Sequence, residues 1–155
     1  MGLTIVLGYD GSDCAKAALE RTIALLKATG DGAAVVVQTH QVSIGYVPPG
    51  MTNAPVLIGP ELQQQIDLAE DTARQQLEEA ATALRAAGVE TETVLATGSP
   101  ADVLLKVAGD RGADLIAVGT HGEGALSGAL LGSTSYRLIH RSTVPLLIVP
   151  LRKKD

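Results

Sequence analysis

The sequence predicts an α/β fold in which a parallel sheet is wound with helices on both faces, and three features lead there. Five short apolar runs of strand length are separated by four longer segments that read as helices. The core residues are aliphatic, with three Tyr and no Phe or Trp, which suits a sheet covered by close-packed helices. The fourth run, Asp114-Leu-Ile-Ala-Val118, breaks into Gly119-Thr-His-Gly122 and, nine residues on, Gly132-Ser133. A strand that passes through glycines into a helix is how many α/β proteins hold phosphate.

Each element follows in order. Leu3-Thr-Ile-Val-Leu-Gly8 is a buried strand, and Asp10-Gly11-Ser12 turns into a helix from Asp13 to Ala28, capped by Ser12 or Asp13 and ended by Gly30. Ala34 to Thr39 is the second strand. Residues 43–60 carry four Pro and three Gly, which forbid regular structure, and a loop of that length is either a ligand-covering segment or a surface excursion. From Glu61 to Ala87 the apolar residues Leu62, Ile66, Ala69, Ala73, Leu77, Ala80 and Leu84 recur every three or four positions, an amphipathic helix that Gly88 stops. Thr91 to Ala96 is the third strand. Gly98-Ser99-Pro100 opens a helix that runs to Arg111, with Pro near its first position. A strand at 114–119, a helix from Ser133 to Arg141 and a strand from Pro145 to Val149 complete the alternation. In such sheets ligands bind beyond the carboxyl ends of the strands, where strand order reverses, so Asp10 and Gly119 are expected to face one crevice.

Length and composition narrow the function. A chain of 155 residues suits one domain, 1–155, able to bury roughly two-thirds of its unfolded surface. A formal charge of −5 and few aromatics disfavour a nucleic-acid binder, and the tail Arg152-Lys153-Lys154 reads as a solvated end. No apolar stretch approaches the ~20 residues of a membrane span. The lone Cys14 and the lack of a basic, then apolar leader make a cytoplasmic setting the expectation. His40, His121 and His140 are scattered without metal-ligand spacing, so no zinc site is expected. His121 lacks an accompanying nucleophile and carboxylate, and Cys14 is expected to be a small packed residue.

The glycine passage carries the chemistry. Glycine amides approach an anion closely and tolerate positive φ, and a following helix N-terminus adds unpaired donors and a positive dipole end. The segment fits neither G-x-x-x-x-G-K-[ST] nor G-x-G-x-x-G, which disfavours a Walker or dinucleotide enzyme. Ser133 can cap the helix, donate to phosphate or do both, and Asp10 can close an Asx turn or meet a ligand. A side chain at Gly122 or Gly132 is expected to occupy phosphate space with little loss of fold.

These residues resemble the universal stress protein family, nucleotide-binding subgroup. Its pattern G-x2-G-x9-G-[ST] is matched by Gly119, Gly122, Gly132 and Ser133. Ile5-Val-Leu-Gly-Tyr-Asp10-Gly-Ser12 resembles its opening strand and acidic turn. Gly98-Ser99-Pro100 resembles the turn after its third strand, and residues 132–141 with Pro145-Leu-Leu-Ile-Val149 its final helix and strand. The resemblance implies a Rossmann-like, doubly wound five-stranded parallel sheet in the order 3-2-1-4-5, homodimers joined through the last strand, and ATP in the crevice. It would place Gly119, Gly122, Gly132, Ser133 and Thr134 around the phosphates, Asp10 with Gly11 and Ser12 beside ribose or metal, and the end of the second strand, at His40, against adenine. Two departures are Glu123, where relatives often have a basic residue, and the individual loop at 43–60.

The expected function is that of an ATP-binding stress-response switch, with Mg²⁺ arriving on the triphosphate and held mostly by its oxygens and water. The alternatives are a slow ATPase or phosphotransferase, a cyclic-AMP binder and a nucleotide-free dimeric interaction module. Phosphoryl transfer needs cationic neutralisation, and no Lys or Arg lies between Gly119 and Ser133, so at most weak hydrolysis is expected.

Overall fold

A computed structural model of the chain describes residues 2–40, 59–121 and 131–151. Nine elements alternate along them: β1 (Leu3–Gly8), α1 (Asp13–Thr29), β2 (Gly32–His40), α2 (Pro60–Ala86), β3 (Glu90–Thr97), α3 (Pro100–Arg111), β4 (Leu115–Gly119), α4 (Ser133–Arg141) and β5 (Leu146–Val149). All strand pairs are parallel and the order is β3-β2-β1-β4-β5, the sheet that the resemblance implied.

Side-chain alternation divides the core between the two faces. Ile5, Leu7, Ala34, Val36 and Ala117 point to one side, where α1 and α2 supply Ala18, Leu26, Leu77 and Leu84. Val6, Val35, Val37, Ile116 and Val118 point to the other, against Leu104 and Val107 of α3 and Leu138 of α4. Because both faces are covered, the central strands are apolar throughout. Each such side chain contributes ~1.5–3 kcal/mol on leaving water.

Local chemistry sets the boundaries. Ser12 caps α1, its hydroxyl accepting from the Ala15 amide at 3.2 Å, and Gly30 closes it in the left-handed conformation. β2 begins two residues earlier than the apolar run suggests, because Gly32 pairs with Leu3. The proposed loop at 43–60 lies outside the described residues up to 58. At its end the prediction is corrected: Gly59 is the N-cap of α2 and Pro60 its first residue, a position where the missing N–H costs nothing. Pro145 falls just before β5 rather than in it, yet its carbonyl still accepts from the Ile116 amide at 2.9 Å.

Leu84 has no exposure and lies under α2 against the sheet. Leu84→Ala should lower the unfolding free energy by ~2–5 kcal/mol, read as a lower urea midpoint at unchanged slope.

Candidate functional site

The sheet order reverses at β1, whose neighbours are β2 and β4, and a cleft of about 550 Å³ opens beyond their carboxyl ends. Its floor is Gly8, Tyr9 and Asp10 after β1, Val37 to Thr39 of β2 and Val118 to His121 after β4. Pro100 and Leu104 of α3 form one wall, and Gly132 to Ser135 at the start of α4 form another.

The passage from β4 to α4 is tied at its two described ends. The Thr120 amide donates to the Val149 carbonyl at 3.0 Å, the Gly132 amide to the Thr120 carbonyl at 2.6 Å, and the Ser135 hydroxyl to the Gly119 carbonyl at 2.8 Å. The start of α4 is therefore bound to the end of β4. Gly132 is the N-cap and Ser133 the first helical residue, so the capping role considered for Ser133 falls to a glycine, which has no side chain to cap with. Its first amides stand at the cleft wall, without a side-chain acceptor among the described residues, where a helix concentrates partial positive charge.

Gly119 and Gly132 also meet a packing requirement that the sequence reading did not anticipate. Neither Gly119 nor Gly132 has positive φ. A Cβ on Gly119 would stand 2.6 Å from Cys14 Cβ and 2.7 Å from its carbonyl carbon, so this glycine lets the first turn of α1 lie against β4. A Cβ on Gly132 would stand 3.0 Å from the Thr120 carbonyl oxygen. Thr120 itself lines the cleft, and a side chain at Gly132 would also press on the backbone that follows β4, a cost to the fold that the sequence reading did not anticipate. Gly122 and Glu123 lie outside the described residues.

Of the other candidates, Asp10 lines the cleft and also closes an Asx turn, its Oδ1 accepting from the Ser12 amide at 3.0 Å. Gly11 and Ser12 stand beside the cleft rather than on its lining. Gly11, at φ +78°, lies under Gln76 of α2, and Ser12 is occupied with capping α1. His40 is also off the lining, its Nε2 3.2 Å from the Thr97 hydroxyl, and Thr39 is the last lining residue of β2. His121 is on the lining, its Nδ1 3.0 Å from the Thr120 hydroxyl. Cys14 is packed as expected, 6% exposed. Among the described residues no three His, Cys, Asp or Glu side chains converge, and no helix is long and apolar enough to cross a membrane.

Sequence reasoning passed over Tyr9. It is 2% exposed, and among the described residues its hydroxyl has no hydrogen-bond partner. Burial, then the charges of Glu79 and Asp10, push its ionisation above the usual tyrosine value. Leu104, Val37 and Val118, which with Pro100 give the cleft an apolar slot, were legible only as parts of a helix or strand, and Pro100 only as a helix start.

Comparison with known proteins places this geometry. A model described as the universal stress protein family matches residues 1–150. A universal stress protein of Thermus aquaticus is 34% identical over 148 residues, covering 94% of this chain and 97% of that protein. A solved Methanocaldococcus jannaschii protein aligns with a TM-score of 0.81 at 22% identity over 99% of both chains. A universal stress protein in complex with cAMP aligns at 0.66 and 26% identity over 95% of this chain and 96% of its own. The same fold occurs in an Archaeoglobus fulgidus protein in complex with dAMP, at 0.64 and 19% identity over 96% and 98%. It recurs in an Arabidopsis thaliana protein with AMP bound, at 0.65 and 17% over 97% and 92%.

Two outcomes follow from the packing. Gly119→Ala should destabilise the nucleotide-free protein by ~1–3 kcal/mol or more, and Cys14→Ala should not rescue it, because the clash is with Cβ and backbone; chemical denaturation of both variants reads this. Tyr9→Phe should match or exceed the parent in stability at neutral pH, since an unpaired buried hydroxyl costs ~1–3 kcal/mol. With the folded-state ionisation raised above the ordinary 10.0, the parent's stability is constant below that pH and falls as pH rises through the folded value. Denaturation above pH 10 should therefore show a smaller loss for Tyr9→Phe.

Proposed function

The chain belongs to the universal stress protein family, and from that premise we propose that it binds an adenine nucleotide, ATP foremost, in the cleft and acts as a nucleotide-dependent stress-response switch. The observation that carries this reading is the start of α4. Its amides have no side-chain cap and share a cleft with Asp10 and an apolar slot. Phosphate would take the place of the missing cap at Gly132, Ser133 and Thr134, with Gly119 and Gly122 on the same passage. Asp10 would sit by ribose or by Mg²⁺ carried in on the phosphates, and adenine would lie against Val37, Val118, Pro100 and Leu104 beside the Thr39 backbone.

Binding rather than turnover is the proposed activity. Backbone amides orient phosphate but supply no full positive charge, and the stretch from Gly119 to Ser133 holds no Lys or Arg. A single domain in the cytoplasm, paired as a homodimer, completes the proposal. The β5 edge of the sheet has no partner strand among the described residues, and Leu151, Tyr136 and Ile139 expose half or more of their surface on β5's C-terminal side and on α4. Cyclic AMP is the second reading, favoured by the similarity to a universal stress protein in complex with cAMP.

Calorimetric titration of the nucleotide-stripped protein with Mg·ATP, with cAMP as competitor, tests the reading. Saturable binding at about one site per chain is expected, with a stabilisation of ~2.7 kcal/mol at a ligand concentration a hundred times Kd. Asp10→Ala should weaken it. Binding of cAMP in preference to ATP would move the assignment to the cyclic nucleotide, and no heat with either ligand would leave the interaction module.

A further inference from the structure

On α4, two residues beyond the last one that lines the cleft, Arg137 supplies a guanidinium of the kind the glycine passage lacks. Arg137 stands one turn after Ser133, on the same side of α4, and its Nη1 donates to the Ser99 hydroxyl at 3.1 Å. Ser99 is the N-cap of α3, whose side chain makes no capping bond, and the next residue, Pro100, is cleft lining. The guanidinium thus bridges the first turns of the two helices that wall the cleft.

Its charge is left standing. Arg141, one turn further along α4, takes the Asp102 carboxylate, the acidic residue of α3's first turn, and Arg111 takes Glu92. Arg137 has no carboxylate within ion-pair distance among the described residues, and holds a neutral hydroxyl instead. Anchoring by Ser99 fixes the side chain without neutralising it. An arginine so held presents further N–H donors in a planar fork that matches phosphate oxygens.

Resting on the nucleotide reading above, we infer that Arg137 is the residue that recognises the distal phosphates, so that the site distinguishes a nucleoside triphosphate from a monophosphate. The α-phosphate meets the α4 amides, and the distal phosphates extend along α4 toward Ser99, where Arg137 supplies the cation. Cyclic AMP and AMP, with one phosphate, end short of it.

The test is calorimetry on the full, nucleotide-stripped chain with Mg·ATP and with AMP. The parent should bind ATP more tightly than AMP. Arg137→Gln should lower ATP affinity about tenfold, the scale of one partly exposed charge-assisted hydrogen bond, while AMP affinity changes less than about twofold. Arg137→Lys should restore part of the loss, and raised salt should weaken ATP binding more in the parent than in Arg137→Gln. Because Arg137 is exposed, thermal melts of the free proteins should coincide. Equal losses for AMP and ATP, or no loss for either, would overturn the inference while leaving nucleotide binding in place. A parent that binds neither ligand would remove the functional reading itself and this inference with it.

Discussion

The contact between Gly119 and the first turn of α1 fixes more of this molecule than any other. With 2.6 Å to Cys14 Cβ from where a Cβ would stand, β4 can end beneath α1 only as glycine. Once β4 ends there, Thr120 turns to the Val149 carbonyl of β5 and its own carbonyl takes the Gly132 amide. The Gly119 carbonyl, in turn, receives the Ser135 hydroxyl from α4. Two helices from opposite faces of the sheet are therefore referred to one residue, and the cleft between their starts inherits its width from that packing. A glycine passage of this kind is a structural requirement first, and its suitability for an anion follows from where it leaves the α4 amides.

The two helices that begin at the cleft are treated unequally. α1 has its N-terminus satisfied by Ser12, and Asp10 spends one carboxylate oxygen on the same turn. α4, opening on Gly132, has no such acceptor among the described residues, because its N-cap is a glycine. Ser135 turns back to β4. Unsatisfied amides at a helix start are solvated or wait for an acceptor, and their position on a concave wall with apolar residues opposite gives an acceptor something else to bind.

The layout of strands and helices was legible because the central strands are covered on both faces, which writes them as mostly aliphatic runs and the helices as periodic ones. Misplacements came where backbone rather than side chain decides. Gly32 joins β2 by pairing with Leu3, and Pro60 joins α2 because the first helical position needs no N–H. Asp10, Gly132, Ser133 and Thr134, which the family resemblance named, do line the cleft. His40 could not be distinguished from Thr39, because neighbours on a strand face opposite ways and a one-residue uncertainty changes which of them reaches the cleft. Tyr9 gave no signal, since an aromatic at the end of an apolar strand reads the same whether or not its hydroxyl has a partner. The purpose of Gly119 was hidden for a similar reason: its constraint comes from Cys14, more than a hundred residues earlier.

Arg137 shows the same separation between sequence and site in its charge. Read along the chain, the stretch from Gly119 to Ser133 is without a cation, which weighs against phosphoryl transfer. Read in space, α4 carries a guanidinium back to within one turn of its own N-terminus and across to α3. Placement on a helix rather than on the glycine passage separates two tasks. The two described ends of the passage are fixed by hydrogen bonds that join Gly119 and Thr120 to β5 and to the start of α4, and on the proposed reading this would hold one phosphate in one geometry. The arginine hangs from a single bond to a hydroxyl at the rim, where it can meet charge that extends beyond the cleft. One cation at the rim falls well short of the several positive groups with which phosphoryl-transfer sites surround the reacting phosphorus. On the proposed nucleotide reading, this arrangement would serve discrimination among nucleotides by their length rather than chemistry upon them, and that reading needs no more than a difference in affinity.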